Sequence, residues 1–245
     1  MFRQKKKRIC KENSKSALDT YEEKCERDRM GEAEMKKQRM ISYGLAIILL
    51  TGCGGSTEKQ ISAVLKKTAE AEEEFVKQQQ PLKELEKKEM SIYKKMMTSS
   101  GKEKKRWSAL QEKAEKNLND RKEKVFAEQE AMKKAADEFS KLDELKKRLE
   151  DKQVRGELDG LIKTMNERYK AHQDVAKRYN EVLRLDKKLY YILGKETTTL
   201  SDVEEQLDKI NKENDKLKMS NERFNKLTRT FNKQKTALEK SIESK

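Results

Sequence analysis

The chain has 245 residues, 42% of them charged and only 33% apolar, with a formal net charge of +14. So small an apolar share excludes a thick globular core and suffices only for narrow seams between long helices. One proline, one histidine and one tryptophan point the same way, and they leave few groups for acid–base or metal chemistry.

Residues 1–34 read either as sequence upstream of a true start at Met35 or as a basic cytosolic extension, because Met35-Lys36-Lys37 opens a signal peptide directly. The basic patch Lys36-Lys37-Gln38-Arg39 is followed by an apolar stretch from Met40 to Leu50, shorter than the roughly 18 to 20 residues of a membrane-spanning helix. That stretch fits the apolar region of a signal peptide covering residues 35–52. It ends in Leu50-Thr51-Gly52-Cys53, a lipobox: an aliphatic residue three before a cysteine, small residues at the next two places, and a thiol at the cut point. The expected product is cleaved between Gly52 and Cys53, carries diacylglycerol on the Cys53 thiol, and is anchored to the membrane on its extracytoplasmic face.

Residues 1–52 hold 13 of the 59 Lys and Arg and 8 of the 45 acids, so the remaining chain has 46 basic against 37 acidic residues. Cys10 and Cys25 precede the cut and Cys53 is consumed by lipid, which leaves no thiol for a disulfide or a metal. Residues 53–57 form a lipidated tether, Cys53-Gly54-Gly55-Ser56-Thr57. A helical bundle domain is expected over 58–245.

The first helix is expected from about Glu58 to Met97, with Ile61, Leu65, Thr68, Phe75, Leu82, Tyr93 and Met96 near a three-four spacing. Pro81 predicts a kink or break, since it lacks the amide and its ring crowds the preceding turn. Ser99-Ser100-Gly101 ends this helix. The second is expected from about Glu103 to Asp151, with Trp107, Leu110, Ala114, Leu118, Val125, Met132, Phe139, Leu142 and Leu149 on one stripe and an end blurred by Gly156 and Gly160.

A third helix, from about Glu157 to Leu193, has three apolar heptad rows, and a face that wide packs against more than one neighbour. The fourth runs from Leu200 to Ile242 behind a capping box at Ser201-Asp202-Val203-Glu204. Val203, Ile210, Leu217, Phe224, Phe231 and Leu238 fill one seam position. The other turns polar at Asn214, Asn221, Thr228 and Lys235. Asn there reads either as a buried register-setting residue or as part of a partly solvated seam. Short breaks between helices of about 40 residues, each near 60 Å, make neighbours antiparallel. The fold expected is all-α: an elongated, coiled-coil-like up-and-down bundle of four long helices. A bent three-helix coiled coil, with the first helix broken at Pro81 and its N-terminal half free, is the alternative.

Little in the chain suggests catalysis. His172 lies on the row of Met165 and Tyr179, where it fills a mostly apolar stripe. No second histidine or carboxylate cluster joins it at ligand spacing, so neither a catalytic residue, a cofactor nor a metal site is expected. The carboxylate run Glu70 to Glu74 is matched by nearby lysines and reads as a solvated face. The lysine excess carries no zinc finger, basic zipper or aromatic platform, and export removes nucleic acid as a partner. Outside the membrane the available polyanions are lipid headgroups, teichoic acids and peptidoglycan carboxylates; the other reading of the lysines is that they only keep the coiled structure soluble.

Leu189-Tyr190-Tyr191-Ile192-Leu193, then Leu200, Val203-Glu204-Glu205-Gln206-Leu207 and Ile210-Asn211, then Asn221, Phe224-Asn225, Thr228, Phe231-Asn232 and Lys235 complete a pattern. With the lipobox ahead of it, the chain resembles the YkyA-type cell-wall-binding lipoproteins of Gram-positive bacteria. That resemblance implies a helical up-and-down bundle from Cys53 to the C-terminus and brings no catalytic residues with it. The function expected is that of a membrane-anchored lipoprotein whose basic bundle binds peptidoglycan or teichoic acid, or supports the envelope. The alternative is a coiled-coil scaffold that recruits a protein partner through the Asn214 and Asn221 seam.

Overall fold

The structure, a computed structural model, describes residues 57–98, 104–195 and 197–244. The lipobox lies outside the described residues. Those that are described form helices α1 (Thr57–Thr98), α2 (Lys104–Phe139), the short α3 (Leu142–Lys147), α4 (Lys152–Leu193) and α5 (Leu200–Glu243), with no strand among them. The four long helices fall where the apolar periodicity places them.

Three boundaries differ from expectation. Pro81 sits inside α1 without ending it, and Ile61, Leu65 and Phe75 ahead of it are buried, so the N-terminal half is not free. The single second helix is two: α2 stops at Phe139, where Ser140 Oγ donates to the Asp137 carbonyl, and α3 follows after Lys141. Phe139 and Leu142 are both buried across this turn. Their three-residue spacing suits a continuous helix as well as a turn, and no glycine or proline marks the break. Asp151, expected at the end of that helix, instead caps the start of α4, its Oδ1 accepting from the amides of Gln153 at 2.8 Å and Val154 at 2.9 Å. Gly156 and Gly160 therefore lie within α4.

The cap of α5 is also displaced, by two residues. Thr199 is the N-cap: its Oγ accepts from the Asp202 amide at 3.2 Å, while Asp202 Oδ2 accepts from the Thr199 amide at 2.8 Å. This is the reciprocal pattern of a capping box, with Asp in place of Glu. The amide and hydroxyl of Thr199 hold the Asp202 carboxyl below its usual range.

The described chain divides into two compact units, each drawing one segment from every long helix. The first comprises Lys83–Arg121 and Leu183–Asn211; the second comprises 57–82, Lys122–Val182 and Lys212 onward. Tyr93, Met96, Leu110, Leu189, Tyr190 and Ile210 are among the buried side chains of the first unit. There Gly194 ends α4 with Trp107 packed against it, so close that a Cβ at this glycine would meet Trp107 Nε1 at 3.0 Å.

The second unit has the larger apolar core, including Ile61, Phe139, Leu142, Leu158, Met165 and Leu238. Phe75 and Phe224 meet edge-on at 5.9 Å, and Phe139 meets Phe231 at 6.0 Å. Successive α4–α5 contacts, Arg168 with Thr228 and Arg178 with Glu213, run in opposite senses, as in an up-and-down bundle. Asn214 and Asn221 are half-buried while Thr228 is buried, which is the partly solvated seam rather than the buried register lock.

Candidate functional site

Buried charge distinguishes each unit. In the first, Arg121 of α2 lies on the apolar stripe between Leu118 and Val125, and Asp186 of α4 lies between Val182 and Leu189. Helical spacing turns both inward. Arg121 donates to Asp186 Oδ2 at 2.9 Å and faces Glu89 Oε2 of α1 at 3.7 Å, while the Tyr190 hydroxyl donates to Glu89 Oε1 at 2.6 Å. Two carboxylates thus share one guanidinium. Burial and the charge of Glu89 push the Asp186 carboxyl up to about 7, against the lowering pull of Arg121. Burial together with Glu89 also pushes the Tyr190 phenol above its usual range. On α5, Gln206 is neutral and donates to the Leu185 carbonyl at 2.8 Å.

In the second unit Arg168 pairs with Glu72. Its guanidinium meets the Glu72 carboxylate in a two-pronged contact of 2.6 and 2.8 Å, and its Nε donates to Thr228 Oγ1 at 2.9 Å. The same guanidinium lies 4.9 Å from the Phe224 ring centre. His172, one turn along α4, packs between Phe75 and Phe224 at 5.2 and 5.5 Å, filling the apolar row on which its spacing places it. Burial, helped by Arg168, lowers its imidazole to about 4, and Nε2 has no hydrogen-bond partner. A neutral ring enclosed by phenylalanines is out of reach of a substrate. No group of three or more His, Cys, Asp or Glu among the described residues is arranged to hold a metal.

The sequence did not single out Arg121, Asp186 or Arg168, and Glu72, expected on a solvated face with Glu70 to Glu74, instead turns inward to pair with Arg168. Each was signalled by a charge falling at a three- or four-residue step inside an apolar row.

A groove of about 340 Å³ opens in the first unit. Its α2 wall carries Gln111, Glu115 and Leu118; its α4 wall carries Arg184, Lys187, Lys188, Tyr190 and Tyr191. Arg184, Lys187, Lys188 and Tyr191 repeat at three- and four-residue steps, so they share one exposed face at the C-terminal end of α4, where the helix dipole favours cations. The adjacent tyrosines divide: Tyr190 is buried and tied to Glu89, while Tyr191 is 58% exposed with Lys195 Nζ 4.3 Å from its ring centre. No helix of the described residues is long and apolar enough to cross a membrane.

The fold defines a class of all-α up-and-down bundles. Its architecture is similar to a 1.6 Å crystal structure of a conserved protein of unknown function from Staphylococcus aureus, with a TM-score of 0.63 over 77% of this chain and 98% of that one. At 22% identity the likeness shows the fold alone. Residues 56–241 match the model of the YkyA family, described as "Putative cell-wall binding lipoprotein", and the chain belongs to that family. It is 33% identical over 165 residues to the uncharacterized lipoprotein YkyA of Bacillus subtilis (strain 168), which covers 67% of this chain and 74% of the relative.

Proposed function

We propose that the chain is an exported lipoprotein, joined to the outer face of the cytoplasmic membrane through diacylglycerol on Cys53, whose basic bundle binds anionic cell-wall polymers. The observation that carries this reading is adjacency: the lipoprotein-family match begins at residue 56, directly after Leu50-Thr51-Gly52-Cys53. Processing between Gly52 and Cys53 puts the family-matched residues at the end of a short tether. The charge balance of 46 basic to 37 acidic residues beyond the cut supports attraction to teichoic acid and peptidoglycan carboxylates, an attraction that weakens with salt.

The role is one of binding rather than catalysis. Supporting this, the single histidine is enclosed and held neutral, and Asp186 and Glu72 are engaged by arginines. The test of anchoring is metabolic labelling with a fatty-acid probe in cells carrying the wild-type chain or Cys53→Ala, followed by fractionation. Label and membrane association disappear in the variant; their persistence would overturn the anchor. Wall binding is read from retention on purified sacculi across a salt series, and no retention at low salt removes it.

A further inference from the structure

We propose that the groove between α2 and α4 in the first unit is a binding site for a linear phosphodiester-linked polyol or sugar polymer, with Lys187 and Lys188 meeting its phosphates and Tyr191 its carbon face. This rests on the wall-binding reading and assigns it a place on the molecule.

Charge complementarity is the first support. Lys187 and Lys188 stand on one groove wall against the carboxylate of Glu115 on the other, so positive charge outweighs negative among these three groups. The second support is the floor. Leu118 and Tyr190 are buried, and the hydrogen bond from Tyr190 to Glu89 holds that ring in place beneath the groove. The third is Tyr191, a large ring left in solvent on the same face as the cations, with Lys195 against it.

Exposed aromatic surface beside a cluster of cations suits a ligand that alternates carbon–hydrogen faces with anionic groups. Simple solubilising lysines need neither the ring nor the concavity. Phe126, Leu200 and Met219 are also exposed, but none of them lines the groove, and single exposed apolar side chains are ordinary. A flexible linear polymer fits a furrow between two helices, whereas carboxylates held in a cross-linked mesh reach it less easily. This favours the phosphodiester polymer over peptidoglycan itself.

The test uses the full chain carrying Cys53→Ala, so that no lipid contributes, and compares three further changes in that background. These are the pair Lys187→Glu with Lys188→Glu; Tyr191→Ser; and, as a control of equal charge, Lys226→Glu with Lys233→Glu on the second unit's segment of α5, where both lysines are exposed. Each is measured on native sacculi, on sacculi stripped of phosphodiester polymer, and on anionic lipid vesicles, with thermal melting as the check on folding.

On native sacculi the groove pair is expected to lower affinity about tenfold, since it reverses two exposed charges at the site. Tyr191→Ser lowers it severalfold with an unchanged salt slope, and the control pair changes it less than twofold. Stripping the polymer removes the difference between the groove variants and their parent. An equal loss in control and groove pairs would leave wall binding intact but overturn the site. So would an undiminished groove effect on stripped sacculi, or one that appears on vesicles alone. If the parent chain does not bind native sacculi at all, it is the wall-binding reading that fails.

Discussion

The first unit buries one arginine between two carboxylates, and the second buries one arginine against one carboxylate, a threonine hydroxyl and a phenylalanine face. This difference in stoichiometry gives the two units different responses to pH. In the second unit, Arg168 and Glu72 neutralise one another in place, and their two-pronged contact ties α4 to α1. In the first, one carboxylate is always in excess, and it is relieved most readily by a proton.

Removing the arginines is the largest perturbation. Arg168→Met strands Glu72 and should cost about 3 to 5 kcal/mol in chemical denaturation, with little change between pH 6 and 8. Arg121→Met strands two carboxylates and should cost at least as much at pH 8, with part of the loss recovered at pH 5 as Asp186 takes up a proton. Equal pH profiles for the two variants would erase the distinction between the units.

The second prediction concerns Asp186. Its folded value, about 7, lies above the ordinary carboxylate value, so the folded state holds the proton more tightly than the unfolded one. The stabilisation this gives is full below about pH 4, is lost as pH rises through 7, and stays absent above it. Asp186→Asn should therefore raise the stability of the first unit at pH 8 and flatten this slope, as read by hydrogen exchange of its amides. A variant less stable at every pH would count against a protonated Asp186.

His172 has the opposite sign. Its folded value of about 4 lies below the free imidazole value, so the second unit loses stability as pH falls from about 6.5 towards 4. His172→Gln should remove that acid-side loss from hydrogen exchange in the second unit while leaving the first unit's profile in place. Opposed slopes in the two units are the sharpest expression of the comparison.

The smallest effects are expected at the caps. Thr199→Ala in the first unit and Asp151→Ala in the second should each cost about 1 kcal/mol, the usual worth of an N-cap, measured by the shift in denaturation midpoint at neutral pH. A larger loss at Thr199 would mean that the reciprocal bond with Asp202 cooperates beyond a single cap.

The helices themselves were legible because an apolar stripe at three- and four-residue spacing is a local property of the chain. Ile61, Leu118, Leu161 and Leu238 are buried as their rows predict. Boundaries read less well. The turn at Ser140 preserves the apolar spacing across it, and the cap at Thr199 competes with an equally plausible Ser201 two residues on. The processing site was likewise a local pattern, Leu50-Thr51-Gly52-Cys53, and it lies outside the described residues.

Sequence alone determined that the chain forms long amphipathic helices, that it carries an excess of basic residues and that the helix ending at Leu193 has the widest apolar face. Only the tertiary structure decided that Glu89, Arg121, Asp186 and Tyr190 meet in one unit, and Glu72, Arg168, Thr228 and Phe224 in the other. It also decided that Tyr191 faces out over a furrow while Tyr190 closes its floor. The physical reason is that periodicity fixes which face a residue occupies along its own helix. Which residues share a layer depends on the rotation and register of helices that lie far apart in the chain.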